Sequence, residues 1–462
     1  MSNLGFHSLF DSVSSFHGVR VARFFLERNS YLFSPEAADP RRRDLIGKEG
    51  GLKSFDAIFF TVSFELDYLN ILKMLSLSSI PLRAGERSEK TPLVVCGGIA
   101  PTANPLILSV IADVVFLGDM EGSIELLLES LFRFKFSRSA SLFESLQGIG
   151  GVSLSQDERM KIPRSIQDPI THPAHSVVIT NQTEFAGMFL IEIVRGCRNR
   201  CSFCMTRCAA QPVRPVSPEA VLEHVGRAIT RTKKIGLVGP VLTDHPELPE
   251  IVKRINSIGG VVSFSSLRAD HFTEEIASLL MRNRQKSVTF APETGSERLR
   301  REIEKHLSND QIIESVSRAL SHGVKKIRYY LMYGLPGEQV RDIMDIPLLI
   351  ERTLRLFRSS GREKLSGRLF LSINPFIPKS GTPLASARPR AMEYYRKAQD
   401  FLRERFSDQR EVDLRFEPLG HLYVHCLLST GDRETGQRLV HAFEQGTMKK
   451  FSKYAEERML HG

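Results

Sequence analysis

No stretch of this 462-residue chain is apolar enough to cross a bilayer as a helix: the longest apolar run, Leu106 to Leu117, contains Asp113 and falls short of the about 20 residues required. The N-terminus lacks the basic flank, continuous apolar core and small-residue cleavage site of a secretion signal, so a cytoplasmic protein that does not enter a membrane is expected. Repeats and low-complexity tracts are missing too. Neither charge sign is gathered into a block: 63 Lys and Arg are interleaved with 53 Asp and Glu, for a net charge of +10 and an ordinary charged fraction of 25%. Disorder is thereby excluded as a general description, and the positive balance is a weak signal for RNA or an acidic substrate. Cysteine is scarce. The six residues Cys96, Cys197, Cys201, Cys204, Cys208 and Cys426 are too few and too uneven for a disulfide scaffold, and four of them crowd into positions 197–208.

At about 150 residues per domain, the length suggests roughly three domains. Ala57–Val62, Leu93–Cys96 and Val114–Leu117 read as buried strands, with an amphipathic helix from Leu69 to Leu77 and glycines at Gly97, Gly98 and Gly118 where strands end. This predicts a small doubly wound, flavodoxin-like domain over 1–135, opening on a helix as though the chain began after a first strand. Residues 136–180 read as a linker rich in Ser, Pro and Gly. Six strand candidates follow: Met188–Val194, Lys234–Gly239, Gly260–Ser266, Ser287–Ala291, Lys325–Tyr333 and Gly367–Pro375. Helices separate them, one opening with Ser217 and Pro218 and another with a Ser308/Gln311 capping box. Such alternation calls for a parallel α/β sheet, open or as a partial barrel, over 181–385. Residues 386–462 read as a charged helical C-terminal region carrying Lys449, Lys450 and Lys453.

Directly after the first strand of that series stands Cys197-Arg-Asn-Arg-Cys201-Ser-Phe-Cys204. Three thiolates at this spacing suit an iron-sulfur cluster, or less well zinc, and a cubane held by three cysteines leaves one iron open as a chemical position. Cys208 is read as an unligated thiol, with a fourth ligand as the other reading.

The CxxxCxxC loop after a first strand resembles that of radical S-adenosylmethionine (radical SAM) enzymes, whose core is a partial (β/α)6 barrel; the resemblance covers roughly 185–385. It implies a [4Fe-4S] cluster on Cys197, Cys201 and Cys204 that binds S-adenosylmethionine and cleaves it reductively to methionine and a 5′-deoxyadenosyl radical. It further implies Phe203 near the adenine, and Gly239, ending strand two without the usual carboxylate, near the methionine amino group. Arg268 is implied at the methionine carboxylate, with a salt bridge to Asp270 as the rival reading; Glu293 is implied at the ribose hydroxyls and Gly334 beside the nucleoside. Asn374–Pro383, with Lys379, resembles a segment shared with methylthiotransferases, and His245 is a loop histidine that would approach the cluster side or simply hydrogen-bond.

The first domain looks similar to the cobalamin-binding domains of some members, through Ser63, Gly97-Gly98 and Gly118 and their neighbours. Met1–Gly5 and Ser63-Phe-Glu65-Leu resemble pieces of a subfamily of uncharacterised radical proteins with such a domain. There is no D-x-H-x-x-G for an axial ligand, and the family holds both cobalamin binders without that His and similar domains that bind none, so cobalamin stays open here. The implied function is radical chemistry on an undetermined small-molecule or RNA substrate, with a one-electron reductase such as flavodoxin or ferredoxin as partner. A cobalamin-dependent methyltransferase is the alternative, and a non-catalytic iron-sulfur carrier or sensor the rival from another class.

Overall fold

The computed structural model describes residues 3–27, 31–35, 51–155, 163–168, 170–359 and 369–461. Up to Asp168 and from Tyr423 onward they form one compact unit; those from 170 to Leu422 form a second.

In the first unit, parallel strands β1 (Ala57–Thr61), β2 (Leu93–Gly97) and β3 (Val114–Phe116) lie side by side, and β4 (Val152–Leu154) pairs antiparallel with β3. Leu93, Val94 and Cys96 are wholly buried, as a sheet covered on both faces requires. Strand β4 falls in the stretch read as linker; three residues carry too little periodicity to be seen. Asp113, which interrupts the longest apolar run, is a buried hub that accepts from the Val94 amide at 2.8 Å, from Arg87 at 2.9 Å and from Arg138.

Three C-terminal helices, Leu422–Thr430, Arg433–Glu444 and Met448–His461, belong to this unit from Tyr423 on. Glu65, nearly inaccessible, accepts from His425 Nε2 at 2.9 Å and from Ser429 Oγ at 3.0 Å. Asn104 Nδ2 donates to the Gly431 carbonyl at 2.8 Å, and one terminal nitrogen of Arg83 donates to both Glu444 oxygens at 2.6 and 2.7 Å.

The second unit holds two parallel sheets. One has the order β7 (Val261–Phe264), β6 (Lys234–Val238), β5 (Phe189–Glu192); the other runs β8 (Ser287–Glu293), β9 (Lys326–Tyr333), β10 (Leu369–Pro375), β11 (Val412–Phe416). All six expected strands are present. Parallel neighbours need crossovers, and helices supply them. Pro218–Ala228 is one, its amide at Ala220 capped by Ser217 Oγ and its stripe Val221, Val225 and Ala228 buried at i, i+4, i+7. Asn309–Ser321 is another and carries the capping box. Strand β11 is a seventh strand from the region read as helical, so residues 386–422 stay with this unit while those from 423 join the first. No helix among the described residues is long and apolar enough to cross a membrane.

Candidate functional site

In a parallel sheet every strand offers its carboxyl end on the same edge, where crossover loops gather side chains. The cysteine loop leaves β5 through Val194-Arg195, which pairs antiparallel with Arg214-Pro215 and so closes the loop at its neck. Gly196 sits there at φ +82°; a Cβ on it would lie 2.5 Å from the Pro212 carbonyl oxygen, so only glycine fits. Gln211 Nε2 donates to the Cys197 carbonyl, and the buried Asp244 accepts from the Arg198 amide at 3.3 Å. Further along, the Ser202 amide donates to Ile303 O at 3.0 Å and its hydroxyl to Glu304 at 2.8 Å.

Cys201 is buried, Cys197 and Cys204 half-buried, and Asn199 Nδ2 approaches Cys197 Sγ at 3.4 Å. Among the described residues no three His, Cys, Asp or Glu side chains converge on one point as a single metal ion demands. A cubane does not ask for that convergence, since each thiolate binds a different iron. Burial pushes the Cys201 thiol up, and the Lys305 and Arg268 cations pull against it. Three thiols on a pinned loop, faced by two cations, are a donor set that suits an anionic iron-sulfur group.

Arg268 follows β7, and its fork lies on Asp270, Nε at 2.9 Å from Oδ1 and the terminal nitrogen at 2.7 Å from Oδ2. Burial works against its charge, but Asp270 and then the Cys201 and Cys197 sulfurs outweigh that and raise its pKa. Both sequence readings of Arg268 therefore meet in one place: it is bound to Asp270 and it faces the cysteines. Glu293 ends β8 after a register irregularity, at φ +67°, and accepts from Lys305 Nζ at 2.5 Å. Lys305 was not singled out in the sequence; it lies twelve positions after Glu293, beyond the short helix Glu297–Glu302, with no periodic signal linking the two.

Phe203 packs on Leu299, Ile303, Leu335 and Phe376, the core reading of that side chain. Gly239 presses on the cysteine strand: a Cβ there would meet Val194 Cγ1 at 2.5 Å. At Gly334, φ +78°, a Cβ would meet the Tyr395 ring at 2.5 Å, so its glycine is required by protein packing. The same turn holds Glu338. Its Oε1 accepts from the Gly334 amide at 2.6 Å and from the Tyr394 hydroxyl, while Oε2 is buried without a partner. Burial drives its pKa up to about 7 against those hydrogen bonds.

Cys208 donates to Met205 O at 3.1 Å and approaches Ser380 O at 3.8 Å, tucked against Gly381. His245 is buried, its Nε2 2.7 Å from Val216 O and its Nδ1 accepting from the Glu247 amide at 3.1 Å, a hydrogen-bonding role. The loop bearing Lys379 turns on Thr382, whose hydroxyl donates to Lys379 O at 2.7 Å.

In the first unit the glycines of the expected cofactor loops lie close against the chain's own backbone. A Cβ on Gly98, at φ +124°, would lie 2.3 Å from Val62 O; one on Gly118, at φ +96°, would lie 2.1 Å from Ser165 O. Ser63 Oγ accepts from Asn3 Nδ2 at 3.0 Å. Positions 98 and 118 require glycine because the chain's own backbone passes close beside them.

Comparison with known proteins places both units. Residues 5–153 match the family model for the N-terminal region of radical SAM proteins, and residues 191–350 that of the radical SAM superfamily. An uncharacterized protein of Methanocaldococcus jannaschii is 26% identical over 95% of this chain and 87% of its own. The tRNA-2-methylthio-N(6)-dimethylallyladenosine synthase of Clostridioides difficile is 24% identical over 35% of this chain and 37% of that one. Among solved structures, the radical S-adenosylmethionine methyltransferase TsrM of Kitasatospora setae, with cobalamin and a [4Fe-4S] cluster bound, shares the fold at a TM-score of 0.50 and 13% identity, over 73% of this chain and 67% of TsrM. With tryptophan and a SAM analog bound, TsrM gives the same score over 71% and 64%.

Proposed function

Since this chain belongs to the radical SAM superfamily, we propose that Cys197, Cys201 and Cys204 hold a [4Fe-4S] cluster and that the strand ends around them receive S-adenosylmethionine. When bound, such a cluster supplies the electron that cleaves S-adenosylmethionine to methionine and a radical that starts chemistry on a substrate. The observation that carries the reading is the pinned cysteine loop faced by Arg268 and by the Lys305–Glu293 pair. This chain's residues do the holding: Gly196 shapes the loop neck, Ser202 and Asp244 fix its course, and Arg268 and Lys305 balance negative charge at the thiolates. The Arg268 guanidinium, steadied by Asp270, is placed to meet a carboxylate.

The substrate under this reading is a small molecule or an RNA, reached from the strand-end side. Methyl transfer through cobalamin is the alternative, and the fold shared with TsrM suggests it. Anaerobic reconstitution with iron and sulfide, then dithionite and S-adenosylmethionine, tests the main reading. 5′-Deoxyadenosine and methionine are expected; neither forming from an intact cluster sinks it. A corrinoid absorption band in protein produced with cobalamin supplied would carry the alternative, and its lack after iron loading would remove it.

A further inference from the structure

A cleft of about 750 Å³ in the first unit lies between the turn Ala84–Glu86 and the outer face of the helix Arg433–Glu444, over the buried Ser109 and Val110. The helix comes close because glycine stands at the contact: a Cβ on Gly436 would lie 2.7 Å from the Ile107 carbonyl oxygen. The turn precedes β2, and Ser109 and Val110 precede β3, so the cleft is at the amino ends of these parallel strands. Gly98 and Gly118 follow their carboxyl ends.

Arg433, Gln437 and His441 recur every four residues and line the cleft from one helix face, with about 12 Å of helical rise from first to last. The two ends differ in charge. At one, Arg433 Nη1 donates to Ser109 Oγ at 3.2 Å and to the Ser155 carbonyl, which fixes the guanidinium without neutralising it; no carboxylate pairs with it among the described residues. Glu434, which also lines the cleft, is engaged by Arg438 at 2.7 Å. At the other end Arg83 is offset by Glu86 at 3.2 Å and by Glu444, one turn beyond His441, at 2.6 Å. Both Arg83 and Arg433 bind the protein through one terminal nitrogen, so the Nε and Nη2 edge of each has no partner among the described residues.

A fixed guanidinium with an open two-donor edge and no counter-charge suits a single phosphate group. The far end, where Arg83 donates and Glu86 accepts, is balanced in charge and suits a neutral ring edge that carries both donors and acceptors. Between them Ala84, Gly85 and Val110 add no charge, and a Cβ on Gly85 would meet nothing within 4 Å, so the backbone there offers a bare surface to a flat ring. The volume falls within the about 300–1,000 Å³ of small-molecule sites.

We infer that this cleft binds a nucleoside monophosphate, with the phosphate on Arg433, the sugar beside Gln437 and the base against Gly85, its edge toward Arg83, Glu86 and His441. The inference goes beyond the proposed function and does not depend on it, since no cysteine takes part and every residue named belongs to the first unit.

Titration calorimetry on the full chain, with AMP, GMP, CMP and UMP and the four matching nucleosides as probes, tests it. At least one monophosphate should bind wild type with Kd below about 1 mM, and its nucleoside about tenfold or more weaker. Arg433→Met should weaken that monophosphate by about tenfold or more. Gln437→Glu, which removes no contact among the described residues and sets a carboxylate beside the ligand, should do the same while its Tm stays within about 2 °C of wild type. It decides the matter should Arg433→Met fold poorly. No binding of any monophosphate at roughly 5 mM, equal affinity for nucleoside and monophosphate, or unchanged affinity in Gln437→Glu overturns the inference. A preparation that forms no 5′-deoxyadenosine still gives the answer, so the two readings fail separately.

Discussion

Lys305 and Glu293 form a nearly buried ion pair, 2.5 Å apart, that ties the turn after one helix to the end of β8. Neither residue has water to fall back on if the other is removed. Lys305→Met therefore leaves an uncompensated carboxylate and should lower stability by about 3–5 kcal/mol, whereas Lys305→Met combined with Glu293→Leu should recover much of it. Urea unfolding of the three proteins gives the comparison; equal loss in single and double variants would contradict a buried pair.

The ligand assignment separates Cys201 from Cys208. Cys201→Ala should lose the visible absorption and nearly all bound iron after reconstitution, while Cys208→Ala, whose thiol packs on the Met205 and Ser380 carbonyls, should keep both. Iron and sulfide analysis reads the difference, and a Cys201→Ala protein with full cluster content would refute the assignment.

Glu338 gives a pH signature. Its carboxyl is raised to about 7 in the fold, against about 4.3 in an unfolded chain. Between those values the folded state keeps the proton and the unfolded state has released it, so this contribution to stability is whole below about pH 4.3 and is lost as pH rises through about 7. Glu338→Gln cannot ionise. Relative to wild type it should gain about 2 kcal/mol between pH 5 and pH 8 in urea unfolding; a constant difference across that range would mean that the carboxyl is not protonated in the fold.

Glu65 joins the first sheet's loop to the C-terminal helices through His425 and Ser429. Glu65→Ala strands two buried polar partners and should cost about 2–4 kcal/mol, with amide exchange rising across 422–461 ahead of the rest. Unchanged protection of those helices would argue that the apolar contacts alone hold them.

How much of this was legible depended on whether a signal was local. The six strands of the second unit stood out because Phe189–Glu192, Ser287–Glu293 and their kind are apolar or alternating runs closed by glycine or proline, and the helix caps at Ser217 and Ser308 are written within four residues. The cysteine loop was legible because the residue is rare and the spacing tight. Lys305 was hidden, since the short helix Glu297–Glu302 and the turn after it bring it to Glu293 with no fixed period. Strand β11 shows clear alternation in Val412-Asp-Leu-Arg-Phe416, yet it sits among charged helices and was absorbed into them. The glycines at 98, 118 and 334 were seen as special and given to ligands; Val62, Ser165 and Tyr395 turned out to stand beside them. An apolar helix face says that it will be covered but not by what, which is why the home of residues 423–461 could not be read.

That home has a consequence for synthesis. The second unit lies within the first in sequence, so on a ribosome it emerges whole, with every strand it needs, while the sheet begun at Ala57 still waits for His425 and Ser429. The carboxylate of Glu65 must stay in water until His425 and Ser429 have been made, and a chain stopped just after Leu422 would release a complete cysteine-bearing unit joined to an unfinished one.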